Sequence, residues 1–205
     1  EDDVVLNKET GTFHVVGTPA VSVSWVELAS NPAVNQKQLI GKSDFLQEGA
    51  TFPFGAHIVI AEVDIETGEA RIKRIVAVDD AGKIVNPLLA TGQVHGGLAQ
   101  GVAQALLEEI SYDDDGNPQT TNLMDYTAIS AMEVPSFDRI TMETPTPLNS
   151  IGAKGIGESG TIGSTAATQN AVLDAISHFG IDHLDMPLTP QRIWSAIYDK
   201  SRVRV

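Results

Sequence analysis

An alternation of apolar residues that begins at Val59 constrains the fold of this chain more than any other feature of its sequence. Val59, Ala61 and Val63 recur at every second position, which is the period at which strand side chains point to one face of a sheet. The turn-type segment Glu66-Thr67-Gly68-Glu69 follows, and a second apolar run returns from Ile72 to Val78. The pattern predicts an antiparallel hairpin with one face in a hydrophobic core.

The rest of the sequence mixes strand and helix signals. Between residues 88 and 109, apolar residues recur at i, i+4, i+7 and i+8, which predicts a helix. The remaining predictions are strands at 4–6, 13–16 and 140–143, a short helix capped by Ser22 or Ser24, a helix carrying Val172, Ile176 and Phe179 on one face, and a last helix that starts at Thr189-Pro190 and buries Ile193, Trp194, Ile197 and Tyr198. Together these elements predict an α+β fold with mixed sheets and antiparallel hairpins, packed by helices.

The charge and the absence of cysteine exclude several functional classes. The formal net charge is −14, so a phosphate backbone or an anionic membrane surface would repel the protein. With no cysteine, the chain forms no disulfide, offers no catalytic thiol and ligates no iron–sulfur cluster. Its five histidines form no HExxH motif, so we expect no metal ligand among the side chains.

The segment from Gly152 to Gly163 is the strongest candidate for a site. It holds five glycines together with Lys154 and Glu158, and a predicted helix follows it. Glycines let a backbone approach a ligand closely, and the start of a helix offers free N–H groups to an anion. A glutamate held there could have its ionisation controlled by its surroundings. The alternative is a plain loop before a helix, with Glu158 as an ordinary first-turn acid.

A second glycine-rich segment runs from Gly92 to Gly101 within the predicted helix. Each glycine weakens a helix by about 1 kcal/mol relative to alanine, so four of them need a reason. One reason is the close approach of a ligand, for which Gln93 offers both a donor and an acceptor. The other is tight packing between helices, with Gln93 and His95 as ordinary polar residues.

Other polar and aromatic residues have simpler interpretations. Asp79-Asp80 and Asp113 to Asp115 are predicted to be acids of turns or of the solvated surface. His57 is predicted to be a core or rim histidine, and Trp25 to be a core residue, like Trp194 and Tyr198 of the last helix.

Taken in order, five segments resemble one family. They are the end of the hairpin at 79–87, Gln93 within GQVHGGLAQG, the segment 122–126, the loop 152–158 and the segment 183–187. Together they are similar to the C-terminal region of the molybdopterin-binding subunit of molybdenum hydroxylases, the family of xanthine dehydrogenase, aldehyde oxidase and aerobic carbon monoxide dehydrogenase. The resemblance implies a molybdenum-cofactor-binding-domain-like fold. It also implies that residues 1–205 are the C-terminal portion of a longer chain, with a sub-boundary near 110–150.

The resemblance also implies roles for particular residues. Glu158 matches the family's active-site glutamate, the catalytic base at the molybdenum centre. Gln93 matches a glutamine that hydrogen-bonds the pterin, and Lys154, Gly155, Ile156 and Gly157 match the loop that brings the glutamate to the metal. The implied cofactor is a molybdenum-pterin, molybdopterin itself or its cytosine dinucleotide. Because the pterin holds the metal, the chain itself needs no metal ligand.

The implied activity is that of an oxidoreductase that hydroxylates an aldehyde or an N-heterocycle, or oxidises CO, with oxygen derived from water. The implied partners are the N-terminal remainder of the molybdenum subunit, and subunits that carry iron–sulfur clusters and FAD. The implied assembly is a cytoplasmic dimer of heteromers that binds a small-molecule substrate, with no nucleic acid and no membrane span. We expect the isolated chain to be inactive. An alternative from another class is a non-catalytic assembly module that binds no cofactor on its own, and a third is an unrelated phosphate-binding domain.

Overall fold

A computed structural model describes residues 2–34 and 40–202, with only the backbone of residues 200–202. The chain divides into two compact units, Glu1–Leu46 and Gln47–Val205. The segment 110–150, where the sequence suggests a sub-boundary, lies within the second unit. No helix among the described residues is long and apolar enough to cross a membrane.

The first unit is a small antiparallel sheet with one short helix. Its strands are β1 (Val4–Asn7), β2 (Thr12–Val15) and β3 (Thr18–Ser24), paired in that order, and they are followed by α1 (Trp25–Ser30). The predicted strands at β1 and β2 are confirmed, whereas β3 is not predicted.

The predicted serine cap of the short helix is at Ser24. Its hydroxyl accepts a hydrogen bond from the Glu27 amide at 3.2 Å, and Glu27 in turn accepts one from the Ser24 amide at 2.8 Å. This reciprocal pairing, known as a capping box, satisfies two N–H groups at the start of the helix. The prediction that Trp25 is a core residue is wrong, because the side chain is half-exposed and contacts Phe13 edge to face.

The second unit is built on a mixed three-stranded sheet. Its strands are β4 (Phe54–Val63), β5 (Ala70–Asp80) and β6 (Phe137–Met142), in the order β4-β5-β6. β4 and β5 form the predicted antiparallel hairpin, and β6 joins the other side of β5 in parallel. The α+β class with mixed sheets is therefore confirmed.

Helices cover one face of this sheet. They are α2 (Pro87–Leu106), α3 (Ser159–Ile176), which a 3₁₀ turn at Ser177–Phe179 continues, and α4 (Pro190–Arg202). The core lies between the sheet and these helices. Its fully enclosed apolar side chains include Ile75, Leu98, Val172, Ile176 and Ile193. Each such side chain contributes about 1.5–3 kcal/mol by leaving water, so this layer supplies most of the packing energy of the unit.

Residues 107–136 connect α2 to β6, and they form neither a helix nor one of the strands of the sheet. An isolated bridge between Tyr112 and Pro118 closes a turn there. Within the turn, Asp113 accepts hydrogen bonds from the backbone and side chain of Asn117 at 2.8–3.2 Å. The prediction that Asp113 to Asp115 are exposed turn acids is confirmed.

The last helix differs from its predicted burial pattern. Ile193 and Ile197 are buried as predicted, but Trp194 and Tyr198 are 41% and 44% exposed. Their rings stack on each other with centroids 4.9 Å apart, outside the core. The prediction of four buried residues is thus wrong for both aromatic residues. A period of 3.6 residues identifies neighbouring positions on a helix, but not how wide a strip the core covers.

Candidate active site

α2 and α3 cross where both carry glycine. A methyl group on Gly97 would lie 2.8 Å from the Thr161 amide nitrogen, and one on Gly160 would lie 2.6 Å from the Val94 carbonyl oxygen. One turn later, a methyl group on Gly101 would overlap the side chain of Ser164. Because these contacts advance along both helices together, α2 and α3 run parallel. Tight packing between helices therefore explains two glycines of the 92–101 segment.

Packing does not explain the other two glycines of this segment. A methyl group on Gly92 or Gly96 would meet nothing within 4 Å. These two positions leave the surface of α2 open beside Gln93, which is itself exposed. Each of the two interpretations of this segment therefore applies to two of its glycines. Gly97 and Gly101 allow close helix packing, whereas Gly92 and Gly96 leave the backbone open to a ligand.

Three glutamines form a row along the flank of α2 that borders α3. Gln93, Gln100 and Gln104 are separated by seven and four residues, spacings that place side chains on one side of a helix. Thr161 donates to Gln100 at 3.2 Å, and Thr165 donates to Gln104 at 3.2 Å. We call Gln93, Gln100 and Gln104 the glutamine row. Gln93 is the member for which the described residues provide no hydrogen bond.

Glu158 lies at the N-cap of α3 and borders the same flank. It forms an open groove together with Gly157, Gln100, Gln104 and Thr161. Its carboxylate makes no capping hydrogen bond, and within the described part of the chain it has no ion-pair partner. The structure thus places Glu158 beside Gln100 and Gln104, with its side chain exposed and unengaged, and helix periodicity puts Gln93 on the same side of α2 as these two glutamines.

The first half of the glycine-rich loop is anchored to the chain that follows β5. Gly82 and Ala153 form an antiparallel bridge. The Lys83 amide donates to the Gly152 carbonyl at 2.9 Å, and the Lys154 amide donates to the Ala81 carbonyl at 2.8 Å. These bonds fix the backbone of the loop as far as Lys154.

Asn149 supports the same half of the loop. Its side-chain oxygen accepts from the Gly152 amide at 2.7 Å and from the Ala153 amide at 3.2 Å, and its amide group donates to the Ala153 carbonyl at 2.9 Å. Gly152 itself has a φ of 76°, a conformation that favours glycine. The turn before the site is therefore built from side-chain and backbone hydrogen bonds together.

The second half of the loop is open. A methyl group on Gly155 or Gly157 would meet nothing within 4 Å. Ile156 lies between them and is half-buried against the core. The loop thus passes from an anchored part to an open part immediately before Glu158, and the open backbone leaves room for a ligand beside the carboxylate.

Lys154 is engaged inside the protein. Its ammonium lies 3.2 Å from a carboxylate oxygen of Asp80, and their side chains are 9% and 0% exposed. The same ammonium lies over the ring of Phe54, 4.7 Å from the centroid, a favourable arrangement for a cation.

Asp80 is held in its charged form. Its burial would raise its pKa, but hydrogen bonds from Thr144, from the Gly82 amide and from Lys154 outweigh burial and hold the pKa well below the ordinary value of 3.8. Asp80 and Lys154 thus form a buried ion pair beneath the loop.

Asp79 is buried on the opposite face of the sheet. One of its carboxylate oxygens lies 3.3 Å from Nε2 of His57, and both side chains are almost completely enclosed. The His57 ring in turn lies against α3, because a methyl group on Gly163 would be 2.5 Å from Nδ1 of the ring. The prediction that His57 is a core or rim histidine is confirmed by its burial.

The prediction that Asp79 and Asp80 are turn or solvent acids is wrong. β5 continues through both residues, and they are 2% and 1% exposed. Asp-Asp-Ala-Gly has the composition of a turn, and the partners that bury the acids are distant in sequence. The sequence did carry a signal that Asp79 is buried. Ile75, Ala77 and Asp79 occupy every second position of β5, so Asp79 lies on the same face of the strand as the two apolar residues.

The arrangement suits the polar edge of a heterocyclic ligand, because the glutamine row offers neutral donors and acceptors. The start of α3 does not offer the free N–H groups that its sequence predicts, since Ser159 and Gly160 are buried and the Thr161 amide donates to the Glu158 carbonyl at 3.1 Å. Among residues 2–34 and 40–202, no group of three or more His, Cys, Asp or Glu could hold a metal ion. A metal at this site would therefore have to be carried by its own organic ligand, and the open backbone at Gly92, Gly96, Gly155 and Gly157 leaves space for such a group.

Comparisons of sequence connect this chain to known proteins. A family model described as a molybdopterin cofactor-binding domain matches residues 1–135. The carbon monoxide dehydrogenase large chain of Hydrogenophaga pseudoflava is 35% identical over 197 residues, which cover 94% of this chain and 24% of the relative. The nicotine 6-hydroxylase large subunit of Paenarthrobacter nicotinovorans is 35% identical over 201 residues, with 94% and 24% covered.

Solved structures show the same relationship. A Cu,Mo-CO dehydrogenase superposes with a TM-score of 0.83 and 32% identity over 98% of this chain. Quinoline 2-oxidoreductase from Pseudomonas putida 86 gives a TM-score of 0.81 and 33% identity over 97% of this chain. In both cases the match covers 26% of the other chain. The chain thus spans about a quarter of the length of the relatives that it matches.

Proposed function

Because this chain belongs to the family of molybdopterin cofactor-binding domains of the xanthine dehydrogenase and carbon monoxide dehydrogenase type, we propose that it forms the part of a molybdenum hydroxylase that presents the catalytic base. Glu158 is that base. Its carboxylate is exposed in the groove beside the glutamine row and is free of competing partners in the described chain. This combination of position and availability is the observation that carries the proposal.

The cofactor, when bound, supplies the metal and the capacity to take up electrons from the substrate. We propose that Gln93 hydrogen-bonds it, since this exposed amide lies on the Glu158 flank of α2 and has both a donor and an acceptor to offer. The backbone of Gly155, Ile156 and Gly157, which follows Lys154 and is open at both glycines, would lie against it. The cofactor would be either molybdopterin or its cytosine dinucleotide.

Glu158 has the properties that general-base catalysis needs. A base must come within hydrogen-bond reach of the proton that it removes, about 2.6–3.2 Å between heavy atoms. The open segment from Gly155 to Gly157 lets the carboxylate approach a reacting atom, while the anchored segment that ends at Lys154 keeps the approach reproducible. The carboxylate would take a proton from the water-derived oxygen that attacks the substrate, and would later release that proton to solvent through the open groove.

The whole enzyme extends beyond this chain. We propose that the remainder of the molybdenum subunit completes the pterin site and the substrate pocket, and that iron–sulfur and FAD subunits carry electrons away. The substrate is a small aldehyde, an N-heterocycle or CO, and the assembly is a cytoplasmic dimer of heteromers. The isolated chain is inactive, since one base without the rest of the pocket binds no substrate.

Substitution of Glu158 tests the proposal. In the enzyme purified with its natural partners, Glu158→Gln keeps the size and polarity of the side chain but removes the base. We expect turnover to fall by about 100-fold or more, with molybdenum and pterin contents unchanged. Glu66→Gln, in the exposed turn of the β4–β5 hairpin, serves as the matched control and should have normal turnover.

Two results would count against the proposal. Normal turnover in the Glu158→Gln enzyme would remove this residue from the mechanism. If elemental and cofactor analysis of the purified complex found neither molybdenum nor a pterin, the chain would instead be a non-catalytic assembly module.

A further inference from the structure

The two acids at the end of β5 have the same unusual arrangement. Asp79 and Asp80 are consecutive, so their side chains point to opposite faces of the sheet. Both are buried, and each lies against one basic side chain, His57 for Asp79 and Lys154 for Asp80. Glu158 lies in the sequence between the two segments of chain that these contacts hold, the loop that contains Lys154 and the first turns of α3.

The Asp80 contact fixes the chain before Glu158. The ammonium of Lys154 is enclosed between Asp80 and the ring of Phe54, which is the residue paired with Asp80 across the hairpin. The backbone of Lys154 is bonded to Ala81 in the same place. Side chain and backbone therefore tie this residue to the end of β5, four positions before Glu158.

The Asp79 contact supports the chain after Glu158. His57 is held by Asp79, and its ring lies so close to Gly163 that no larger residue would fit there. Gly163 is in the second turn of α3, five positions after Glu158. The ring thus sets how closely the start of α3 approaches the sheet.

Burial of charged groups is costly, and apolar residues of similar size often pack at least as stably. Stability alone is therefore a poor explanation for a buried pair of charged groups. Such a pair does favour one relative position of the two segments that it joins, because separating the partners leaves each of them buried and uncompensated. A catalytic base must be held in one position, because a displacement of about 1 Å at a reacting group can lower the rate about 100-fold.

We propose that Asp79 and Asp80 are positioning residues that together set the location of Glu158, Asp80 through Lys154 and the loop, and Asp79 through His57 and α3. This inference rests on the proposed function of Glu158 as the base. Neither acid touches the reacting atoms. Lys154 acts in the same way, through the backbone that it fixes.

The first test measures the loop itself. In the complete enzyme, Lys154→Met removes the buried charge and keeps the length of the side chain. We expect backbone hydrogen exchange in the segment 152–162 to become about tenfold faster, while exchange in the core of α2 stays unchanged. Lys73→Met, which breaks an exposed ion pair with Glu62 in the same hairpin, is the matched control and should leave exchange unchanged.

The second test measures catalysis in the same variants. We expect Lys154→Met to lower kcat by about 10- to 100-fold, with KM within about twofold and molybdenum content unchanged. Lys154→Arg, which keeps the charge, should recover slow exchange and most of kcat. If Lys154→Met does not accumulate as folded protein, Asp80→Asn replaces it, because it keeps the shape of the side chain and removes only the charge.

The Asp79 contact is tested with Asp79→Asn and His57→Gln, for which we expect faster exchange at the start of α3 and the same loss of kcat. Normal exchange and normal kcat in all of these variants would overturn the inference. So would an equal rise in exchange throughout α2, because it would indicate a general loss of stability. If Glu158→Gln has normal turnover, the proposed function fails, whereas the exchange measurements still show whether the acids fix the loop.

Discussion

Gly97 of α2 and Gly160 of α3 face each other at a crossing that leaves no room for a methyl group on either residue. A Cβ on Gly97 would meet the backbone of Thr161 at 2.8 Å, and one on Gly160 would meet the Val94 carbonyl at 2.6 Å. Backbone atoms cannot move aside as the end of a flexible side chain can. The close approach of the two helices, and with it the groove beside Glu158, therefore depends on these two glycines.

Substitution of Gly97 should destabilise the protein. Alanine normally stabilises the interior of a helix, but here its methyl group would push α2 and α3 apart. We expect Gly97→Ala to lower the free energy of unfolding by about 1–3 kcal/mol, as overpacking does elsewhere, measured by urea denaturation.

Gly96→Ala is the matched control for this prediction. The two glycines are neighbours in the same helix, but a methyl group on Gly96 would meet nothing within 4 Å. We expect this variant to be about 0.5–1 kcal/mol more stable than the unmodified protein. Equal effects of the two substitutions would contradict the packing geometry of the crossing.

The buried Asp80 should make stability depend on acid pH. Its pKa in the folded protein is lower than the ordinary value of 3.8, so the folded state holds the charged form more strongly than the unfolded state does. The stabilisation is complete above the unfolded pKa and is lost as the pH falls below about 4. We expect Asp80→Asn to remove this loss, which amounts to at most about 1.4 kcal/mol per pH unit for one proton.

Denaturation curves at pH values from about 3 to 7 check the prediction. Asp114→Asn, at an exposed turn, should keep the pH dependence of the unmodified protein. The prediction is wrong if Asp80→Asn and the unmodified protein lose stability in parallel as the pH is lowered.

Gln93 should affect cofactor retention and leave stability unchanged. The side chain is exposed and has no hydrogen bond within the described chain, so its removal costs the fold at most about 0.5 kcal/mol. If it binds the pterin, Gln93→Ala should lower the pterin content of the purified enzyme. Gln191→Ala, at the exposed start of α4, should leave that content normal, and equal contents in both variants would contradict the assignment.

Asn149 should contribute more to stability than most loop residues do. It makes three hydrogen bonds to the backbone of Gly152 and Ala153. Its removal leaves the Ala153 amide and carbonyl without these partners in a partly buried turn, while the Gly152 amide keeps the residue-149 carbonyl as an acceptor. We therefore expect Asn149→Ala to lower the free energy of unfolding by about 1–3 kcal/mol. Asn170→Ala, on an exposed position of α3, should change it by less than about 0.5 kcal/mol.

The elements that local pattern determines could be predicted from the sequence. The β4–β5 hairpin follows from its alternation and its turn, and α2 follows from its periodic apolar residues. The Ser24 cap follows from the chemistry of helix starts. β3 could not be predicted, because Pro19 within it argues against a strand and its serines suggested a helix start instead.

The contacts that complete the site are non-local and could not be predicted. Lys154 reaches Asp80 across 74 positions of sequence, and β6 pairs in parallel with β5 over a similar separation. The glycine-rich segments single out Gln93 and Glu158 as candidates, but only the family resemblance assigns them roles. It assigns Asp79 and Asp80 wrongly because a turn-like composition carries no information about a distant partner.

The self-contained turn between Tyr112 and Pro118 has a consequence for engineering of this protein. Its hydrogen bonds are satisfied within the turn, and it interrupts the connection between α2 and β6 at a point where Asp113 to Gly116 are exposed. Insertions there would lengthen a closed loop at a small entropic cost. A reporter peptide grafted at this point should therefore leave the groove beside Glu158 unchanged in shape.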